Sequence, residues 1–230
     1  MLSEWTSGVW RWKLPHATTL MAGVTDRTGD VETIRRQVHA ASGLTMAEQV
    51  HGASIAAIGV PGASDRLIAG CDALTTQLED LVLIIRTADC LPLFLWDPVR
   101  RAIGLAHAGW RGLASQLPMR LMRRMSQCYH SRPEEVWVGI GPAIHACCYE
   151  VGEEFEQHFA PFIRRTAGRR TCDLIACATQ QLLAVGIRRS RVSDCGQCTG
   201  CQTKRWYSVR REGDATGRLF SFMVMPSSPN

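Results

Sequence analysis

No apolar run in this 230-residue chain is long enough to cross a bilayer. The longest, Leu81 to Ile85, falls far short of the roughly 20 residues that a spanning helix needs. The N-terminal stretch MLSEWTSGVWRWKLPHATTL has no uninterrupted apolar core and no small-residue cleavage site. No secretory signal is therefore expected, and a reducing cytoplasm is the expected compartment. There is no G-x-G-x-x-G after an apparent strand and no G-x-x-x-x-G-K-[ST], so mononucleotide and dinucleotide phosphate loops drop out. The H-x-E and P-C-x-x-C pair of the zinc nucleobase deaminases is also missing. Internal repeats, low-complexity stretches and a Pro/Gly/Ser linker are lacking too, so residues 1–230 read as one domain, with 226–230 as a disordered tail.

What is present is an ordinary globular balance, 46% apolar and 20% charged, with a formal net charge of +5. The excess is carried largely by arginine doublets such as Arg123-Arg124, Arg164-Arg165 and Arg210-Arg211. They are scattered, with no stacking motif or recognition helix beside them, so solvated helix faces are expected and nucleic acid is not. Ten cysteines in a cytoplasmic chain point to buried thiols or metal ligands.

Apolar spacing predicts a helix over 30–42, where Val31, Ile34, Val38 and Ala41 recur and Gly43 stops it. Residues 47–58 read as a strand carrying Gln49-Val50-His51-Gly52. A buried strand at 81–85 runs into Thr87-Ala88-Asp89-Cys90-Leu91-Pro92-Leu93, where Pro92 places Asp89 and Cys90 at a strand end or bulge. A further strand over 101–106 ends in His107-Ala108-Gly109-Trp110-Arg111-Gly112. Leu113, Leu117, Leu121 and Met125, four apart, predict one helix to Tyr129. A strand over 136–140 and helices over 152–159 and 173–185 follow. Alternating strands and helices favour an α/β fold, a single layered domain with mixed β-sheets covered by helices.

Three strand-end residues carry metal-capable side chains: His51, Cys90 and His107. Imidazole nitrogen and thiolate sulfur suit zinc, and three protein ligands leave one position for water or substrate. Two histidines and a cysteine also match the equatorial set of a type-1 copper site, the alternative metal. A third reading makes Cys90 a nucleophile with His107 as its base.

The motifs QVHG at 49–52, DALTT at 72–76, TADCLPL at 87–93, AHAGWRG at 106–112, GIGP at 139–142, CYEVG at 148–152, Cys198-Thr199 and YSVRR at 207–211 occur in order. This string resembles the laccase-domain family, also called the multicopper polyphenol oxidase or purine nucleoside phosphorylase family, which includes peptidoglycan editing factor-like proteins. The resemblance spans roughly residues 20–222. It implies a metal site of His51, Cys90 and His107 and a single α/β domain.

The activities it implies are phosphorolysis of purine nucleosides, including methylthioadenosine, and zinc-dependent adenosine deamination. Copper-dependent polyphenol oxidation and hydrolysis of a cell-wall peptide precursor are the alternatives. The expected partners are a small-molecule nucleoside and phosphate, with no membrane, and the chain is expected to be a monomer or weak homo-oligomer. Catalytic roles fall to Cys90, His107 and Asp89, the last passing protons. Gln49, Arg111, Arg210 and Arg27 are the candidate substrate-binding residues. Arg111 is expected beside a helix N-terminus, which favours phosphate. Arg27 sits in a shortened N-terminal loop, and Gly141-Pro142-Ala143-Ile144-His145 departs from the family's Gly-Pro-Cys-Ile-Gly.

Cys195-Gly-Gln-Cys198-Thr-Gly-Cys201 can seed a structural zinc or an iron–sulfur site, with Cys172 or Cys177 as fourth ligand; the plainer reading is reduced thiols in a loop. Trp5, Trp10 and Trp12 are expected to pack an N-terminal strand on the core.

Overall fold

The computed structural model describes residues 2–12, 20–38, 43–166 and 168–227. The N-terminal half runs β1 (Leu2–Thr6), β2 (Val9–Trp12), β3 (Met21–Thr25), α1 (Val31–Val38), β4 (Leu44–Ala47), β5 (Ile55–Ile58), β6 (Arg66–Ile68), β7 (Ala73–Thr76), β8 (Val82–Thr87), β9 (Leu91–Asp97) and β10 (Ala102–Ala108). It continues with α2 (Trp110–Ala114), α3 (Leu117–Tyr129), β11 (Trp137–Ile140), α4 (Glu156–Phe159), β12 (Ile163–Thr166), β13 (Arg169–Cys172), α5 (Leu174–Ala184), β14 (Val192–Asp194), α6 (Val209–Glu212) and β15 (Leu219–Val224).

Two mixed sheets dominate. One has the order β1-β2-β3-β15-β8-β4-β6 and the other β14-β11-β9-β10-β7-β5. The period of two along each strand decides what lies between them. In β8, Leu83 and Ile85 point at the facing sheet, where they meet Phe94 and Trp96 of β9 and Ile103 and Leu105 of β10. Val82 and Ile84 point the other way, onto Ile34 and Val38 of α1. In β9, Leu91, Leu93 and Leu95 face Leu117, Leu121 and Met125 of α3 and Leu174 and Leu182 of α5. The layers are therefore helix, sheet, sheet, helix. Sandwiching explains why β9 and β10 are buried at every residue. Trp12 lies between the sheets, stacked on Phe94 with centroids 5.9 Å apart, as expected of an N-terminal packing residue.

The fold is mixed α/β, but strands and helices do not alternate regularly: β7 to β10 follow one another with no helix between. Two further readings need correction. Residues 47–58 are two strands, β4 in one sheet and β5 in the other, so the Gln49–Gly52 segment is a loop. The helix expected over 113–129 breaks at Ser115-Gln116, where Gln116 takes φ +60°. Pro118 is the reason: its ring clashes with the carbonyl four residues back, so a new helix starts just before it. Residues 39–42 of the first predicted helix, Ala167, and 228–230 of the tail lie outside the described residues. Of that tail, Ser227 is held by Asp80, its amide donating to the carboxylate at 2.9 Å.

Among the described residues no helix is long and apolar enough to cross a membrane.

Candidate metal centre and cleft

Three times the chain leaves the first sheet and enters the second: between β4 and β5, β6 and β7, and β8 and β9. Each crossing carries one key residue, His51, Asp72 and Cys90 respectively. His107 joins them from β10, whose residues Leu105 and Ala106 pair with Leu74 and Ala73 of β7.

Asp72 organises the group. It is fully buried, and its carboxylate faces Nδ1 of His107 at 2.9 Å. It also accepts the backbone N–H groups of His51 at 2.9 Å and Gly52 at 2.7 Å. The backbone N–H of His107 donates to the Asp72 carbonyl at 2.8 Å. Gln49 and His51 both have positive φ, +68° and +59°, a region L-residues enter at a cost. The Asp72 bonds hold His51 there. Burial alone would raise the Asp72 carboxyl, but His107 and the two amides outweigh it and set it below the usual carboxylate range.

With Nδ1 facing Asp72, His107 is left with Nε2 to turn toward His51 and Cys90. The ligand atoms of His51, Cys90 and His107 all lie within 4.8 Å of one another. The two imidazoles meet edge to face, centroids 4.8 Å apart at 84°. Burial pushes the Cys90 thiol up, yet hydrogen bonds and charge from His107 and His51 prevail and bring it to about 7. Burial likewise lowers His107, while Asp72 and Cys90 more than offset this and raise it to about 9. The environment thus favours the thiolate of Cys90 beside a protonated His107, and one sulfur with two imidazoles is a donor set that suits a soft or borderline cation. Gly109 leaves room for it: a Cβ there would sit 3.1 Å from the Cys90 sulfur and 3.5 Å from His51 Cδ2.

His51, Cys90 and His107 line a cleft of about 630 Å³ together with Asp89, Tyr149 and Arg210, with Gln49, Arg86, Asp214 and Arg218 around it. Gln49 clasps the backbone of Arg86, accepting its N–H at 2.7 Å and donating to its carbonyl, so both amide atoms are engaged. Asp89, at φ +87°, accepts the Thr199 hydroxyl at 2.6 Å and the Arg210 N–H at 2.7 Å. Both carboxylate oxygens are taken, so the side chain ties two distant segments to the β8–β9 crossing. The Arg210 guanidinium lies over the Tyr149 ring at 4.9 Å. Burial pushes the Tyr149 phenol well up, so it stays protonated.

Two candidates lie away from the cleft lining. Arg111 is exposed, with its guanidinium over the Trp110 ring at 4.4 Å, and α2 has only five residues. Arg27 pairs with Glu212 at 2.6 Å, donates to the Thr203 carbonyl at 2.7 Å and covers the Tyr207 ring. Sequence reasoning missed Asp72 as the partner of His107, and Arg86 and Arg218 as cleft cations. The DALTT motif was the available signal for the first; the arginines had none.

The family described as multi-copper polyphenol oxidoreductase laccase matches residues 11–226. The chain belongs to that family. Among its laccase-family relatives, a Geobacillus stearothermophilus protein named purine nucleoside phosphorylase YlmD is 34% identical over 191 residues, covering 76% of this chain and 70% of that one. A Deinococcus radiodurans protein named purine nucleoside phosphorylase is 31% identical over 237 residues, 93% and 90% of the two chains. One relative, from an unidentified prokaryote, is named adenosine deaminase RL5 and is 31% identical over 161 residues, 66% of this chain and 61% of that one. The crystal structure of YlmD from Geobacillus stearothermophilus superimposes with a TM-score of 0.87 at 26% identity, covering 98% of this chain and 99% of that one.

Proposed function

We propose that this chain is a zinc-dependent purine nucleoside phosphorylase of the cytoplasm, acting on a nucleoside and inorganic phosphate. The observation that carries the reading is the convergence of His51, Cys90 and His107 in a cleft also lined by Arg86, Arg210 and Arg218. The names of the relatives point the same way.

Phosphorolysis joins a phosphate oxygen to the ribose anomeric carbon as the carbon–nitrogen bond breaks, and the departing base takes up a proton. The chain must therefore hold an anion, grip a flat base and steady charge at the leaving group. Arg86, Arg210 and Arg218 line the cleft, and guanidinium groups are suited to phosphate oxygens. Tyr149, its ring already covered on one side by Arg210, adds a protonated phenol, and Val209 adds apolar wall. Asp89 fixes the backbone of Arg210, which makes it a positioning residue in this reading. His51, Cys90 and His107 would hold the ion, with Asp72 orienting His107. When bound, zinc supplies Lewis-acid polarisation of a substrate oxygen or acidifies a water.

The test is a nucleoside panel with and without phosphate, run on wild type and His107→Ala. We expect phosphate-dependent release of ribose 1-phosphate that vanishes in the variant. Full activity in the variant would remove the centre from the reaction. Deamination is the second reading, favoured by the relative named adenosine deaminase. Inosine formed from adenosine without phosphate would identify it. A thiol mechanism through Cys90 is separated by metal analysis: alkylation that abolishes activity in metal-free, active protein would establish it.

A trinuclear copper cluster needs many more imidazoles. Of the seven histidines, only His51 and His107 line the cleft among the described residues. His130 ends α3, His145 faces Asp194 at 3.9 Å and His158 packs on Phe159.

A further inference from the structure

A second group of metal-capable side chains lies outside the cleft lining. Two turns supply it. In the first, the amides of Cys148 and Tyr149 donate to the carbonyl of His145, presenting Cys147 and Cys148 side by side. In the second, the amides of Cys201 and Gln202 donate to the carbonyl of Cys198, presenting Cys198 and Cys201 on one side of the turn. The isolated parallel bridge between Ala143 and Cys198 holds the turns together.

The four sulfurs all lie within 4.8 Å of one another. Cys147 is 3.9 Å from Cys148, 3.6 Å from Cys198 and 3.5 Å from Cys201, and Cys148 is 3.3 Å from Cys201. A tetrahedron with metal–sulfur bonds of about 2.3 Å has sulfur–sulfur edges of about 3.8 Å. The spacing therefore matches one ion at the centre of four thiolates. Iron–sulfur clusters need their cysteines spread around several iron atoms, which this compact set does not allow.

Two donors reach sulfurs of the group. The His145 amide donates to Cys198 Sγ at 3.4 Å, and Arg211 Nη2 donates to Cys148 Sγ at 3.2 Å. Arg211 is itself fixed by Nε on the Gly200 carbonyl at 2.9 Å, placing a cation where four thiolates and one divalent ion leave net negative charge. Gly200 permits the close approach of the turns, since a Cβ there would meet the Cys148 Cβ at 2.7 Å.

The other cysteines that the sequence suggested for this site lie elsewhere. Cys195, first of the C-x-x-C-x-x-C run, packs against the core between the sheets. Cys172, at the end of β13, and Cys177, on α5, the fourth ligands suggested by the sequence, are buried in the core that β9 shares with α3 and α5.

We propose that Cys147, Cys148, Cys198 and Cys201 form a closed tetrathiolate site for one structural zinc ion. It is independent of the nucleoside reading. A site with four protein ligands has no open position for chemistry, so its work is architectural. It clamps the wall of the cleft: Cys148 precedes Tyr149, Thr199 donates to Asp89, and Arg211 follows Arg210. Metal bound only by the folded chain stabilises it by mass action.

The experiment uses the full chain with His51, Cys90 and His107 all changed to Ala, purified under reducing conditions. Elemental analysis should find one zinc per chain, and adding Cys198→Ser with Cys201→Ser should abolish it. Cobalt substitution of the wild-type chain supplies a readout that needs no variant to fold. Four thiolates on one cobalt should give thiolate-to-cobalt charge transfer several times stronger than the single cysteine of the other centre. A folded triple variant without metal, or cobalt absorption accounted for by one thiolate, would overturn the proposal. So would a wild-type chain with fewer than ten free thiols after denaturation without reductant, the missing ones mapping to Cys147, Cys148, Cys198 or Cys201, because a disulfide would then occupy the ligands. Iron found in place of zinc would overturn the choice of ion.

Discussion

Replacing Asp72 by Asn tests whether the carboxylate, rather than the fold as a whole, sets the centre. The side chains are nearly the same size, so packing around this fully buried position is preserved. The carboxylate receives three donors: His107 Nδ1, the His51 amide and the Gly52 amide. An amide side chain has one oxygen to offer and turns an NH₂ toward the remaining donor. At least one charge-assisted bond is lost, worth about 1.5–3 kcal/mol. Removing the partner that orients a ligand histidine usually lowers metal affinity or activity by about 10–100-fold. That range corresponds to about 1.4–2.7 kcal/mol, so the two routes agree.

We expect Asp72→Asn to bind zinc about 10–100-fold more weakly in competition with a chromophoric chelator. The metal-free variant should also unfold at lower urea. The stability the carboxylate supplies belongs above its unfolded-state value, since its folded value is depressed; it fades as pH falls through the folded one. The variant should therefore lie closest to wild type in acid. Wild-type metal affinity together with a wild-type urea midpoint at neutral pH would refute the reasoning.

Metal binding should release protons, because Cys90 at about 7 and His107 at about 9 must both be deprotonated to ligate. Affinity should rise with pH up to about 9 and then level off, and calorimetry in buffers of different ionisation enthalpy should count the protons released; a flat profile between 7 and 9 would contradict it. In the metal-free chain the raised His107 value contributes stability that is present below the ordinary histidine value and lost as pH passes 9, which denaturant midpoints across that interval will register. Gly109→Ala should weaken metal binding while leaving the fold intact, since its Cβ would sit 3.1 Å from the Cys90 sulfur; unchanged chelator competition would show that the site gives way. Gly139→Ala should do the opposite, lowering thermal stability by about 1–3 kcal/mol by overpacking with little change in metal affinity. Its Cβ would lie 2.6 Å from the ring of Trp12, a rigid indole held between the sheets.

His51, Cys90 and His107, which the structure brings together, were legible as candidates because they stand beside residues that end strands, and the buried strands because sandwiching removes the need for polar alternation. Asp72 was not legible as a partner, since 35 residues separate it from His107 and only the pairing of β7 with β10 brings them together. The cysteine run at 195–201 was visible, but its partners at 147–148 were not. Adjacent cysteines normally diverge on a strand, and here a turn aligns them. The break at Gln116 was written in Pro118, yet leucines spaced four apart on either side concealed it.

Reading 47–58 as one strand failed for a reason that bears on the site itself. A chain passing from one sheet to a second behind it must abandon its hydrogen-bond ladder and turn sharply, which frees backbone amides and forces unusual φ values. Where such a crossing is exposed, water can satisfy the amides. Here the β4–β5 crossing rests on the β6–β7 crossing, and a buried carboxylate on the second receives the amides of the first. The same carboxylate takes the ring nitrogen of a histidine from β10. Two crossings and a strand end thus become one rigid unit, and the β8–β9 crossing brings Cys90 against it. The centre lies at this seam because the seam is where freed backbone groups need a buried anion, and that anion in turn fixes a histidine.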